Sequence, residues 1–167
     1  MICRSLFLFI FCIIANHSFG QTQVPEVKVD TTITGFRFAA DFQGTKVYTR
    51  NGPADITGTV NPSAFSVTVF KDSSLDQAVK NIETLLKMAA KTGYQHSALY
   101  RQDTVINNNQ TIIISVTESY APENFKNLLF NGCFIKGNTV VLFTSGDTDG
   151  GKYTELFRKT FYALKLD

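Results

Sequence analysis

The sequence predicts an α+β protein: an α/β/α sandwich with a mostly antiparallel central sheet, one long helix and a C-terminal helix. Residues 74–93 carry apolar side chains at the three-and-four spacing of an amphipathic helix. Most of the remaining chain shows the alternation or the short apolar runs that are typical of strands. The consecutive residues Ile112, Ile113 and Ile114 indicate a central strand that is covered on both faces. A sheet with one apolar helix docked on each face satisfies that requirement.

The first 20 residues have the features of a cleaved signal peptide. Arg4 precedes an apolar run from Ser5 to Ala15, and Ser18-Phe19-Gly20 places small residues at the positions that a signal peptidase prefers. The run is short for a bilayer span, so we expect no membrane span after cleavage and an exported protein, periplasmic or secreted. Cys12 follows a phenylalanine where a lipoprotein signal has a small residue, which favours an ordinary signal.

Removing 20 of the 167 residues leaves 147, a length typical of one domain. We expect residues 21–33 to be an N-terminal extended segment and residues 34–167 to form a single domain. Without Arg4 the formal charge of +2 becomes +1, and this near-balance argues against a nucleic-acid partner. Because two of the three cysteines leave with the signal, Cys133 remains alone and no internal disulfide is expected.

The first half of the domain is predicted to be mainly strands. The segment GFRFAADF alternates, which predicts one shared face, and a return strand follows from Lys46 to Arg50. A short third strand is predicted from Asp55 to Val60, and a stronger one from Ala64 to Phe70. The residues expected on the shared face of the first strand are Phe36, Phe38, Ala40 and Phe42.

The long helix carries its own boundary signals. Ser74 and Gln77 have the spacing of a capping box, in which the hydroxyl accepts from a backbone N–H and the amide reaches back to the cap. Asp76 and Lys91 suit the two ends of the helix dipole, and Gly93 is suited to a left-handed stop.

The second half returns to strands and closes with a helix. Strands are predicted over residues 95–105, 111–116, 125–135 and 139–145, and a second helix from about Lys152 to Leu164. The third of these strands is expected to be bulged at Asn131-Gly132 and to turn at Lys136-Gly137-Asn138. A hairpin turn at Asn131-Gly132 itself is the alternative.

This order of elements resembles the Mog1/PsbP-like superfamily. The resemblance rests on FSVTVFKDSSLDQAVKNIETLL, GNTVVLFTSGD and ELFRKTFYALKL, and it covers most of residues 34–166. It implies a hairpin-rich start, a long helix, an antiparallel sheet and a closing helix, with an NTF2-like or cystatin-like α+β fold as the alternative. Superfamily members that resemble this chain are mostly small exported or accessory proteins that bind other proteins. No motif carries over a functional residue.

Few residues offer catalytic chemistry. His96 is the sole histidine after the signal, so a nucleophilic site would combine it with Cys133 or a serine. No G-x-S-x-G elbow is present, and Cys133 lies in an apolar strand where a cysteine usually acts as a small buried hydrophobe. We therefore predict no enzyme and no catalytic residue.

Metal binding has little more support. The ligands are too few for zinc, whereas Asp147 and Asp149 before Gly150 resemble the start of a calcium loop. The pattern fails further on, where Arg158 occupies the place of the bidentate glutamate. The simpler interpretation is an acidic turn in which Asp149 or Thr148 caps the second helix. We expect no metal and no cofactor.

Three functional hypotheses follow. The first is a non-enzymatic exported accessory module that binds another protein in the cell envelope. The second is a small-ligand carrier with an apolar cavity, and the third is an enzyme of unrecognised type using His96 or Cys133. Tyrosines near element ends (Tyr48, Tyr94, Tyr100 and Tyr120) are candidate members of a binding surface.

Overall fold

The computed structural model describes residues 25–57 and 62–166. The predicted signal peptide lies outside the described residues. The elements, in chain order, are β1 (Val27–Lys28), β2 (Arg37–Phe42), β3 (Thr45–Thr49), α1 (Pro53–Ile56), β4 (Ala64–Lys71), α2 (Leu75–Lys91), β5 (Gln95–His96), β6 (Tyr100–Ile106), β7 (Asn109–Tyr120), β8 (Phe125–Lys136), β9 (Thr139–Asp147), α3 (Thr154–Tyr162) and β10 (Lys165–Leu166). A 3₁₀ turn, Ala121–Glu123, joins β7 to β8.

Eight strands form one antiparallel sheet in the order β2-β3-β4-β9-β8-β7, with β5 and β6 both pairing with the outer edge of β7. A separate two-stranded ladder joins β1 to β10, where Val27 pairs with Leu166. The predicted α+β class with a mostly antiparallel sheet is confirmed.

The two helices lie on opposite faces of this sheet, as predicted. Helix α2 packs its buried residues Val79 and Ile82 in a cluster with Ile112 and Ile114. Helix α3 contributes Phe157 and Phe161 to a second cluster, which includes Ile113 of the same strand. Strand β7 is therefore apolar on both faces because it serves two cores. The two clusters explain why three isoleucines stand in a row.

The ends of α2 follow the predicted signals in part. Ser74 Oγ accepts from the Gln77 backbone N–H at 3.2 Å, and Gly93 adopts a φ of +98° just after the helix. The Gln77 side chain, however, donates to Asn81 Oδ1 at 3.1 Å. The prediction of a reciprocal bond between the Gln77 side chain and the Ser74 backbone N–H is therefore wrong, because the side-chain amide binds Asn81, one turn along the helix.

Several predicted strand boundaries are wrong. The strand predicted from Asp55 begins inside α1, which starts at Pro53, a favoured first helical residue; residues 58–61 lie outside the described part. The strand predicted over residues 95–105 is split into β5 and β6. Strand β8 runs through Asn131-Gly132 with unbroken register, and it turns at Gly137 as preferred. Helix α3 is shorter than its predicted bounds.

The alternation in β2 is interrupted by a bulge. The register with β3 shifts between Phe38, which pairs with Tyr48, and Ala40, which pairs with Val47. One extra residue reverses the faces of the residues that follow. Phe38 therefore lies on the α3 face of the sheet, whereas Ala40 and Phe42 lie on the α2 face, so the predicted shared face of the four residues is wrong.

Candidate functional site

Cys133 lies at the centre of the sheet and is fully buried. It pairs with Ile112 on one side and with Leu142 on the other, under helix α2. Burial raises the pKa of the Cys133 thiol to about 11, so almost none of it is thiolate at neutral pH. The cysteine is placed as a core residue and has little nucleophilic character.

His96 lies far from Cys133. His96 pairs with Glu118 on β7, and Cys133 pairs with Ile112 six positions earlier on that strand. At the rise of an antiparallel strand, six positions correspond to roughly 20 Å. The structure does not bring together the two residues that sequence reasoning combined in a catalytic hypothesis.

His96 has a different partner, the carboxylate of Glu118. His96 Nε2 lies 3.1 Å from Glu118 Oε2, and the glutamate side chain is almost completely buried. Burial raises the pKa of Glu118, while the nearby His96 and a hydrogen bond from Asn127 oppose that rise. Sequence reasoning missed Glu118 as a partner, because only the β5–β7 register places it beside the histidine.

Asn127 completes this polar cluster on the neighbouring strand. It pairs with Glu118 across β7 and β8, and its side-chain Oδ1 is buried without a hydrogen-bond partner. Gly146 makes room for it, since a Cβ there would lie 2.9 Å from Asn127 Oδ1. The partly exposed His96 thus forms a polar cluster with the buried Glu118 and Asn127. Among residues 25–57 and 62–166, no group of three or more His, Cys, Asp or Glu side chains could hold a metal ion.

The acidic turn before α3 is held by bonds within the protein. The buried Asp147 carboxylate accepts from the Tyr153 N–H at 2.6 Å, from Thr154 Oγ1 at 3.0 Å and from the Asp149 N–H at 3.0 Å. Asp149 Oδ2 accepts from Ser63 Oγ at 2.7 Å. The N-cap of α3 is Tyr153, which makes no side-chain capping bond, so the predicted cap, Asp149 or Thr148, is wrong; Asp147 is the residue that binds groups at the start of the helix. These bonds give the carboxylates structural roles.

Large apolar side chains are exposed at the β2 edge of the sheet. Phe38 is 50% exposed and Phe42 is 40% exposed, on opposite faces of the strand. Helix α1 contacts β2 and adds the exposed Ile56. We call Phe38, Phe42 and Ile56 the aromatic edge.

Phe38 ends a row of aromatic rings that crosses the sheet. Its ring lies 5.9 Å from that of Tyr48, which stacks on Phe65 at 4.8 Å, and Phe65 stacks on Phe143 at 5.2 Å. The rings of Tyr48, Phe65 and Phe143 are buried, whereas the ring of Phe38 is half exposed to solvent. The position of Phe38 is fixed from behind by this row, so its exposed side is presented on a rigid support.

The four candidate tyrosines do not form one surface. Tyr48 is buried, Tyr94 and Tyr120 stack on each other at 4.9 Å, and Tyr100 is 59% exposed on the opposite edge of the sheet. Tyr94, Tyr100 and Tyr120 have at least the partial exposure that was expected of a binding residue, whereas Tyr48 does not.

One small cleft lies beside the end of α3. It is lined by Ile106, Phe134, Phe161 and their neighbours, and it has room for about 10 Å³. A ligand site usually has a volume of several hundred cubic ångströms, so this cleft is too small for a carrier's ligand. None of the helices in the described ranges is both long and apolar enough to cross a membrane.

Comparison with known proteins supports the fold alone. No protein-family model matches the sequence, and no curated protein matches it. The solution structure of cyanobacterial PsbP from Synechocystis is similar with a TM-score of 0.50 and 12% identity, over 91% of this chain and 99% of that one. A Bacteroides thetaiotaomicron protein gives a TM-score of 0.51 and 11% identity, over 80% of this chain and 42% of that one. The predicted PsbP-like fold is confirmed.

Proposed function

We propose that this chain is a non-enzymatic, exported accessory protein that binds another protein through its aromatic edge. The observation that carries the proposal is the exposure of Phe38 and Phe42 on an edge strand. Exposed aromatic side chains on a rigid support are typical anchors of protein interfaces, because they bury large area at low entropic cost.

The surroundings of Cys133, Asp147 and His96, the residues with catalytic or metal-binding potential, support a binding role over a catalytic one. Cys133 is a buried thiol with a raised pKa, and Asp147 accepts hydrogen bonds from Tyr153 and Thr154 at the start of α3. His96 is bonded to a buried glutamate and lies far from the cysteine. In each case the side chain has a structural partner that accounts for its position.

The PsbP-like fold agrees with this proposal, since the superfamily resemblance noted in the sequence implies accessory proteins. The signal-like first 20 residues favour export to the periplasm or the medium. Mass spectrometry of the protein recovered from the medium or periplasm should then give a chain that starts at Gln21. A chain retaining Met1 in the cytoplasm would contradict export.

The test of binding is affinity capture from the native envelope fraction, with the wild-type protein compared with a Phe38→Thr/Phe42→Thr variant. Threonine keeps the β-propensity of the strand and removes the apolar anchors. We expect the wild type to retain a protein partner that the variant loses. Tyr162→Ala, which removes an exposed ring from α3, is the matched control and should retain the partner.

Two results would overturn the proposal. A partner that the double variant retains at full strength would place the interface elsewhere. If capture returned nothing while a metabolite raised the melting temperature, the protein would be a small-ligand carrier instead.

A further inference from the structure

The opposite edge of the sheet offers backbone groups for pairing. Strand β6 pairs with β7 on one side, and within residues 25–57 and 62–166 no strand pairs with its other side. An edge strand of seven residues presents a row of N–H and C=O groups that a further strand can use. The aromatic edge plays no part in this arrangement.

The hairpin turn fixes which residues of β6 direct their backbone outward. Asn107 and Asn108 have φ values of +50° and +62°, as in a two-residue type I′ turn, so the closing pair Ile106–Asn109 is hydrogen-bonded. Counting back by alternation, Gln102 bonds inward to β7. Arg101, Asp103 and Val105 therefore direct their N–H and C=O groups outward; these are the backbone groups that a pairing strand would meet.

Strand β6 lacks a bulge, a proline and a lysine, which are three of the devices that protect an edge, and its two charged residues, Arg101 and Asp103, are paired with each other. Residues 100–106 contain no lysine and no proline, and their register with β7 is unbroken. Strand β2, at the other edge, is bulged and is contacted by α1. Exposed apolar side chains also lie at the two ends of β6: Val105 is 64% exposed and Leu99, just before the strand, is 43% exposed.

We propose that β6 pairs in antiparallel fashion with β6 of a second copy of this chain, about a two-fold axis at Gln102. In this register Arg101 lies opposite Asp103 of the other copy, and Val105 lies opposite Leu99. The two eight-stranded sheets then become one continuous sheet. The other face of the junction places Tyr100 opposite Thr104.

Self-complementarity is the reason for choosing a second copy as the occupant. Arg101 Nε and Nη2 donate to the two carboxylate oxygens of Asp103 at 2.8 and 3.0 Å within one chain, on one face of the strand. In the proposed register the four charges of two copies alternate in sign around a rectangle, so each charge gains a second opposite neighbour. An arbitrary strand would not match both the charge pair and the apolar pair.

The interface is small, because it is formed only by the β6 edge of each copy and the side chains that flank it. Its area falls at the low end for specific complexes, so we expect a dissociation constant in the micromolar range. Because the charged pairs are exposed, the dimer should weaken as salt concentration rises. Sedimentation equilibrium of the purified protein over a wide concentration range measures both effects.

Charge reversal tests the register directly. Arg101→Asp and Asp103→Arg each place two like-charged pairs across the junction, and each should weaken the dimer about tenfold or more. The double variant Arg101→Asp/Asp103→Arg restores the pattern and should dimerise like the wild type. An equimolar mixture of the two single variants should form a heterodimer that is tighter than the homodimer of either variant alone.

Val105→Pro provides a second test that does not depend on charge. It removes one outward N–H and leaves the inward bonds of Gln102 and Thr104 to β7 intact, so it should fold and remain monomeric. Circular dichroism and the melting temperature check folding for every variant. A wild type that stays monomeric at millimolar concentration, or single charge variants that dimerise normally, would overturn the proposal.

Discussion

A methyl group added at Gly132 should destabilise the fold through one aromatic ring. A Cβ at this position would lie 2.5, 2.6 and 2.8 Å from three ring carbons of Phe161 on helix α3. The ring has little room to move away, because its centroid lies 5.9 Å from that of Phe130 and 5.8 Å from that of Phe143. The Gly132→Ala substitution therefore forces helix and sheet apart or twists the ring.

The size of the effect follows from these distances. Carbon atoms are in optimal contact at about 3.5–4.0 Å, so the ring must shift by roughly 1 Å. Overpacking a core by one methyl group typically costs about 1–3 kcal/mol. We expect about 2–3 kcal/mol for Gly132→Ala, because the ring is enclosed by others.

Urea unfolding followed by circular dichroism measures this loss as a lower midpoint with an unchanged slope. Phe161→Leu removes the ring atoms that clash, so Gly132→Ala should cost at least about 1 kcal/mol less in that background. Gly137→Ala is the control: no atom lies within 4 Å of its Cβ, and its cost of about 1–2 kcal/mol comes from a φ of +63°. Leucine at position 161 should not relieve the Gly137→Ala cost. A Gly132→Ala variant within 0.5 kcal/mol of the wild type, or one that Phe161→Leu fails to relieve, would refute the reasoning.

Further predictions concern the buried polar and thiol groups. Cys133, with its raised pKa, should react with a thiol reagent only after unfolding, and rapid labelling of the native protein would contradict its burial. Because the pKa of Glu118 is raised, the folded state binds the proton of this carboxyl more tightly than the unfolded state does. The unfolding free energy of the wild type relative to that of Glu118→Gln should therefore rise as pH falls from neutrality toward 4.5, the ordinary pKa of the group. A difference in unfolding free energy that does not change with pH would contradict this. Asp147→Ala should lower the unfolding free energy by about 1–3 kcal/mol, because it leaves the N–H of Tyr153 and the hydroxyl of Thr154 without their acceptor. Calcium should leave the wild-type melting temperature unchanged, whereas a rise that Asp147→Ala abolishes would assign the turn to cation binding.

The main features of the fold could be predicted because the local spacing of apolar residues along the sequence indicates them. The stripe of α2 and the run Ile112–Ile114 are visible without any knowledge of long-range contacts, and both lie where the sequence indicates. The bulge in β2 could not be predicted in this way. Nothing in the segment GFRFAADF marks Ala39 as an extra residue, since its pairing with β3 alone creates the shift.

Gly132 illustrates a second limit of sequence reasoning. Asn-Gly is a common turn signal, so the sequence favoured a bulge or a turn at Asn131-Gly132. The glycine instead provides space for the Phe161 ring within a regular strand. A glycine that makes room for a neighbour and one that permits a turn look the same along the chain, and only the packing of α3 distinguishes them.

Predicting the polar cluster of His96, Glu118 and Asn127 requires the pairing register of the strands as well as the sequence. His96 and Glu118 are 22 residues apart, and they meet because β5 and β7 pair at that point. The role of Asp147 at the start of α3 could not be predicted for a similar reason, and the predicted cap, Asp149 or Thr148, was wrong. Asp147 is the last residue of β9, and its buried carboxylate reaches past the turn to the helix.

The short β1–β10 ladder brings residues from the two extremes of the described chain together, with Val27 beside Leu166. A peptide linker could therefore join these two points without crossing the molecule, and the chain could be reopened at an exposed hairpin such as Gln43-Gly44. We expect such a circular permutant to fold, since both helices and the order of the strands within the sheet would be preserved. The same proximity means that fusions at either extreme would emerge at one place on the surface.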